Sequence, residues 1–170
     1  MFEGLTRRIF ARKAWLRFRP GTWEQMISEL HRRGEERRES GAFLLGGRDE
    51  DLRLVTRIVY LDDIDPECLV GTIHLHGEAY GKLWDLCEQE RLRVLGDIHT
   101  HPGDWVGQSP TDQENPMVAR KGHTALIAPN FGSGNIRAKH VGVHQYQGDD
   151  GWGSHFGREA GRLLYVGRFA

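Results

Sequence analysis

Residues 94–112 read Val94-Leu95-Gly96-Asp97-Ile98-His99-Thr100-His101-Pro102, then Gly103-Asp104-Trp105-Val106-Gly107-Gln108, then Ser109-Pro110-Thr111-Asp112. The apolar opening predicts a strand from Val94 to His99. In a strand the side-chain period of two sets His99 and His101 on one face, where both imidazoles reach a single ion. Asp112 completes the set. Two imidazoles and one carboxylate leave the fourth tetrahedral position open for water, which is the pattern of a catalytic zinc rather than a structural one. His-x-His alone is a weak signal: His74-Leu75-His76 has the same form but no acidic ligand downstream at the matching spacing, and it reads as a solvated strand face.

A zinc ion in such a site polarises a carbonyl and lowers the pKa of bound water toward ~7. A base must still handle protons. Glu39 is the candidate, at the mouth of a predicted strand, unless it pairs with Arg37 or Arg38 at the surface. Ser109 stands close to Asp112, where its hydroxyl can donate to an oxyanion or else cap the helix that Thr111-Asp112-Gln113-Glu114 opens. Pro102 biases His101 toward an extended backbone. His123, His140, His144 and His155 belong to no constellation, and Trp105 and Val106 lie on the loop between ligands, where an exposed aromatic suits an extended peptide.

Working outward, Thr22-Trp23-Glu24-Gln25 matches a capping box, and Trp23, Met26, Ile27 and Leu30 recur at helical spacing, predicting a first helix to about Arg33. Ala42–Gly46 and Leu52–Leu61 read as a hairpin turning at residues 47–50. Tyr80, Leu83, Trp84, Leu86 and Cys87 mark a second helix. Thr124–Ala128 and Ile136–Val143 read as strands joined by the turn at residues 129–134. After Gly148 the chain is Gly-rich up to Leu163-Leu164-Tyr165-Val166. The expected class is α+β, a mixed sheet flanked by two main helices, in a single domain over residues 1–170.

The 170 residues carry 38% hydrophobic and 28% charged side chains, enough apolar material for a proper core. A net charge of −1 gives no global argument for nucleic acid or an anionic membrane as partner. The start is locally basic (Arg7, Arg8, Arg12, Lys13, Arg17, Arg19), but the alternation Trp15-Leu16-Arg17-Phe18-Arg19 reads as an edge strand with basic outward positions. No apolar run approaches a membrane span and no secretory segment is apparent, so a cytoplasmic location is expected. Cys68 and Cys87 read as small buried hydrophobes, and the lack of a Cys-x-x-Cys half-site argues against a zinc deaminase.

Glu39-Ser40-Gly41 with Leu45-Gly46, His99-x-His101-Pro102 and Ser109-x-x-Asp112 resembles the JAMM (MPN-plus) metalloproteases in every signature position. The resemblance runs from about Gly21 to Val143. It implies a cytidine-deaminase-like α/β/α sandwich and a zinc isopeptidase that releases ubiquitin or ubiquitin-like proteins. It implies His99, His101 and Asp112 as zinc ligands, Glu39 as acid/base and Ser109 as oxyanion helper. The compact chain looks like bacterial JAMM peptidases found in antiphage operons beside a ubiquitin-like protein and its activating and conjugating enzymes. Alternatives within the resemblance are removal of an amino-acid adduct from a β-grasp sulfur carrier, a non-catalytic MPN scaffold, and a DNA-associated relative using the basic amino-terminal segment. Linkage-selective JAMM deubiquitinases carry an insertion after the ligand Asp; here only Gln113–His123 precede the next strand. The acceptor is thus expected to be loosely held, with recognition falling on a donor tail added as a strand beside a sheet edge.

Overall fold

The structure, a computed structural model, describes residues 13–48, 53–69 and 73–168. Helix α1 spans Pro20–Gly34 and buries Trp23, Met26, Ile27, Leu30 and Gly34, the stripe that the helical period predicts. It begins earlier than the expected capping box. Pro20 occupies the first turn, where its missing N–H costs nothing, and Arg19 is the N-cap without a side-chain bond. The helix ends at Glu35, in the left-handed region at φ 52°.

Strand β2 (Gly41–Gly47) buries Ala42, Phe43, Leu44 and Leu45 completely. Such a continuous apolar run marks a strand covered on both faces. Ala42 and Leu44 join the core beneath α1, together with Ile98, Leu126 and Val143. Phe43 and Leu45 join a second core with Ala79, Leu83 and Cys87 of helix α3 (Gly77–Gln89). The sheet is therefore sandwiched between helices. Its strand order is β3-β2-β4-β5-β6-β7, with β3 at Arg57–Tyr60, β4 at Leu92–Thr100, β5 at Thr124–Ala128, β6 at Gly142–Tyr146 and β7 at Trp152–His155. Within this sheet β4 and β5 run parallel and the other pairs are antiparallel. Helix α2 is a single turn, Leu61–Ile64, and α4 a short helix, Pro110–Glu114. Strand β1 (Leu16–Phe18) pairs in parallel with β8 (Leu164–Val166), which follows helix α5 (Gly157–Leu163).

Several expectations shift. The strand expected at Trp15–Arg19 forms over Leu16–Phe18 with Leu16 and Phe18 inward, in a two-stranded sheet with β8 that is separate from the main one. The hairpin pairs as expected, from Ala42↔Tyr60 to Leu45↔Arg57, yet Leu61 already begins α2, and Leu54 bridges to Arg17. Residues 49 and 50 of the predicted turn lie outside the described residues. The strand expected over Ile136–Val143 starts only at Gly142, because the His140 ring accepts the Arg137 N–H (3.1 Å) and closes a turn at Ala138–His140. His74 and His76 are not on a strand: His76 is the N-cap of α3, its backbone and Nδ1 hydrogen-bonded to Asp65 at 2.9 and 2.7 Å. Cys68 and Cys87 are buried free thiols whose pKa values burial raises, Cys68 to about 12.

One irregularity decides which way the site faces. Between β2 and β4 the register passes from Leu44↔Gly96 to Leu45↔Val94, leaving Leu95 as an extra residue in β4. Leu95 packs in the α1 core and Val94 in the α3 core. Beyond the bulge the alternation resumes with Ile98 toward α1, which turns His99 toward α3.

Candidate metal centre

Three backbone devices hold the two histidines. His99 is paired opposite Gly41 of β2 and beside Ile127 of β5, in the middle of the sheet. Past Thr100 the ladder continues: His101 donates to the Ala128 carbonyl (2.9 Å), and Phe131 donates to His101 (2.7 Å). His101 thus stays extended on the same face. Asn130 and Phe131 take left-handed φ values of 52° and 51° to make this contact, an uncommon conformation for a bulky Phe and a local strain held at the back of the site.

The loop after Pro102 returns over the histidines. The Trp105 carbonyl accepts from His101 Nδ1 (3.1 Å), and the indole stacks on that imidazole at 5.4 Å between centroids. A carbonyl only accepts, so Nδ1 carries the proton and Nε2 of the neutral ring presents a lone pair inward. Ser109 then opens α4 with a reciprocal cap: its hydroxyl accepts the Asp112 N–H (3.2 Å), and its own N–H donates to Asp112 Oδ2 (2.7 Å). The sequence left the cap and the oxyanion role open for Ser109; the cap is present, and the residue also lines the cavity.

The ligand atoms converge. His99 Nε2 lies 3.1 Å from His101 Nε2 and 3.6 Å from Asp112 Oδ1, and His101 Nε2 lies 3.5 Å from Asp112 Oδ2. Tetrahedral zinc with ligand bonds near 2.0–2.1 Å sets neighbouring donors about 3.3 Å apart. The two Nε2 atoms stand near that separation, each faces a different oxygen of the Asp112 carboxylate, and one ligand atom from each residue lies within 4.8 Å of the other two, so the donor set fits a single ion. Among the described residues this is the one group of three or more His, Cys, Asp or Glu side chains placed to hold a metal.

Charge follows the geometry. Burial lowers the pKa of His99, favouring the neutral ligand form. For Asp112 burial works the other way, but His101, His99 and Ser109 outweigh it and hold the carboxyl well below the usual range. His101 is raised: burial opposes its charge, while Asp112, Glu39 and the Trp105 carbonyl favour it. Glu39, one residue before Ser40, reaches the same cavity of about 410 Å³ as His99, His101, Ser109 and Asp112. Its pKa is raised, first by burial and then by Asp112, against the influence of His101. Ser40 fixes its approach, donating from its backbone to Thr100 Oγ1 (3.0 Å) and from its hydroxyl to the Leu30 carbonyl (2.7 Å). Of the two arginines, Arg37 and Arg38, weighed as surface partners of Glu39, Arg38 donates to the Arg33 carbonyl.

All five residues singled out in the sequence therefore line one cavity, with Ile73, Pro102, Trp105 and Met117 as its apolar wall. What the sequence did not reveal is the support: Ser40, the strained turn at Asn130 and Phe131, and His144, whose Nε2 donates to the Val106 carbonyl (2.9 Å). Most of these contacts end on backbone carbonyls, which leave no side-chain pattern to find, and the Ser40–Thr100 contact joins residues far apart in sequence. The outer strands of the main sheet are β3 and β7, and β4, which carries His99, is paired on both sides.

No family model matches the chain. It is similar to the solution structure of a protein from Desulfitobacterium hafniense, with 19% identity and a TM-score of 0.60 over 83% of this chain and 90% of that one. A protein from Salinibacter ruber is similar at 19% identity and a TM-score of 0.56, over 82% of this chain and 88% of that one. These two share the fold. A JAB1/MPN domain protein from Archaeoglobus fulgidus stands further off, at 15% identity and a TM-score of 0.40 over 66% and 77% of the two chains. At such identities fold carries over and chemistry does not. No helix among the described residues is long and apolar enough to cross a membrane.

Proposed function

We propose that this chain is a zinc-dependent peptidase of the JAMM (MPN-plus) type, cutting the amide that follows the C-terminal tail of a ubiquitin-like protein. One observation carries the reading: His99, His101 and Asp112 offer three ligand atoms within 4.8 Å of one another, with Glu39 in the same cavity. The helix-flanked mixed sheet is the arrangement that the MPN fold requires, and the motif spacing of the sequence supports the family.

When bound to His99, His101 and Asp112, zinc supplies a Lewis acid for the scissile carbonyl and an acidified water. Glu39 accepts the proton released as the water oxygen bonds to the carbonyl carbon, and returns it to the amide nitrogen as the C–N bond breaks. A carboxyl with a raised pKa suits both halves of that exchange. Ser109 receives the Asp112 N–H on its oxygen, so its own hydroxyl proton stays available for the substrate oxygen that gains charge. The substrate's extended tail lies along Ile73, Trp105 and Met117. In this reading the partners are a ubiquitin-like protein, its conjugates and co-encoded activating and conjugating enzymes, in the cytoplasm of a bacterium under phage attack.

The test is incubation of the zinc-loaded chain with a β-grasp protein whose glycine-ended tail is fused to a reporter, read by mass spectrometry. Cleavage after the terminal glycine, lost in Glu39→Gln with zinc retained, supports the proposal. An intact fusion in the presence of stoichiometric zinc rejects it. Release of a single amino acid but not of a fused protein would move the chain to hydrolases that clear adducts from sulfur carriers.

A further inference from the structure

We propose that His144, on β6, is a positioning residue for the metal centre that acts on His101 through the loop at 102–108; the inference rests on the metal-ligand reading above. Two imidazoles grip successive carbonyls of this loop. His101 Nδ1 donates to Trp105 and His144 Nε2 donates to Val106, at 3.1 and 2.9 Å. The Val106 carbonyl only accepts, so His144 Nε2 carries the proton and Nδ1 accepts the Ser154 hydroxyl at 2.9 Å, a serine on β7 completing the tautomer that the carbonyl sets. The His144 ring is fully buried and meets Phe156 edge-on at 5.7 Å.

The strand is shaped for this contact. A β-carbon at Gly142 would overlap the Val106 carbonyl, so β6 receives the loop only because that position is glycine. The Trp105 and Val106 carbonyls sit on neighbouring peptide planes, separated by just the φ and ψ of Val106. Holding the second against β6 restrains the first against His101. That in turn fixes the His101 tautomer, aims its Nε2 at His99 and Asp112, and keeps the Trp105 indole stacked on its ring. Both His144 nitrogens are engaged by Ser154 and Val106, so its influence on the ligands passes through the loop. Partners of this kind around metal-bound histidines typically tune metal affinity by ~10–100-fold.

The experiment measures the zinc dissociation constant of the full chain by competition with a chromogenic chelator. The visible spectrum of the Co²⁺-substituted chain reports ligand geometry, and circular dichroism on the same samples reports folding. His144→Ala is expected to weaken zinc by about 10–100-fold and alter the Co²⁺ spectrum. His144→Gln, whose amide can donate to Val106 and accept from Ser154, should recover most of the affinity. Gly142→Ala, which keeps the His144 side chain but crowds both the Val106 carbonyl and the His144 Nε2, should reproduce the loss by breaking the contact between them. Ser154→Ala, a change at an exposed side chain that leaves the fold in place, should weaken zinc several-fold even if His144→Ala fails to fold. A folded His144→Ala chain with wild-type affinity and an unchanged Co²⁺ spectrum would overturn the proposal. So would wild-type affinity in both Gly142→Ala and Ser154→Ala. A wild-type chain that binds no zinc removes the metal-centre reading and this inference with it; tight wild-type binding with indifferent variants removes this inference alone.

Discussion

At the scale of single residues, the contrast between Glu39 and the ligands is the most testable feature. His99→Ala or Asp112→Ala removes one corner of the donor triangle, so zinc content should fall from about one per chain toward none, measured by elemental analysis after desalting. Full occupancy in either variant would refute the ligand assignment. Glu39→Gln keeps size and polarity but loses the base: zinc should remain while turnover drops by about 10²–10⁴. The pH profile separates this from a structural effect. Because the Glu39 pKa is raised, the group takes up its proton at higher pH than an ordinary Glu near ~4.3. The acid limb of kcat/KM should therefore lie above that value, with activity lost as pH falls through it, and should vanish in Glu39→Gln. A limb at or below pH ~4 would contradict Glu39 as the group that must be charged.

Among the elements, Gly96 and Arg33 show how the frame is kept. A β-carbon at Gly96 would overlap the Thr124 carbonyl on β5. Gly96→Ala must push β4 and β5 apart beside the histidines, and overpacking of this kind costs about 1–3 kcal/mol, to be read from denaturant unfolding. Unchanged stability would mean that the strands are not this close. Arg33, at the end of α1, donates to Glu29, Asp62 and Asp63 at 2.6–2.8 Å and lies over the Tyr60 ring, tying α1 to α2. Glu29, hydrogen-bonded by Arg32 and Arg33, is pulled down to about 2. Such a lowered carboxyl adds stability that is present above its unfolded pKa near ~4.3 and is lost as pH falls toward the folded value. Arg33→Ala should cost about 1–2 kcal/mol near neutrality, screened by partial exposure, with the difference from wild type shrinking below pH ~4. The helices were legible in the sequence because Trp23, Met26, Ile27, Leu30 and Leu83 keep the period of 3.6. The Leu95 bulge was not, since an extra residue in an apolar run leaves the run apolar. Strand β7 was hidden for another reason: Trp152-Gly153-Ser154-His155 has too little apolar character to show alternation.

For the whole molecule, an ion held by His99, His101 and Asp112 would link metal and fold. An ion that binds only the folded chain at a hundredfold excess over Kd adds about 2.7 kcal/mol, which for a chain of this size raises Tm by about 5–10 °C. A thermal scan with zinc against one with chelator should show that shift in wild type and none in His99→Ala. Equal Tm values in wild type would argue against a structural link. The site itself was largely legible, because its ligands announce themselves by chemistry and spacing. The scaffolding around it was not, because Trp105, Val106 and Ala128 contribute carbonyls whose use depends only on where the chain happens to pass. The pairing of Gly41 with His99 has one more consequence. His99, His101 and Asp112 come from a single short stretch of chain, whereas Glu39 arrives only when β2 has crossed the sequence to lie against β4. A nascent or partly unfolded chain can thus gather the three ligands before it owns a proton carrier. On the proposed reading, capture of the ion would be a local event and hydrolytic competence a late one, so a chain whose sheet is incomplete would have little means of cutting its neighbours or itself.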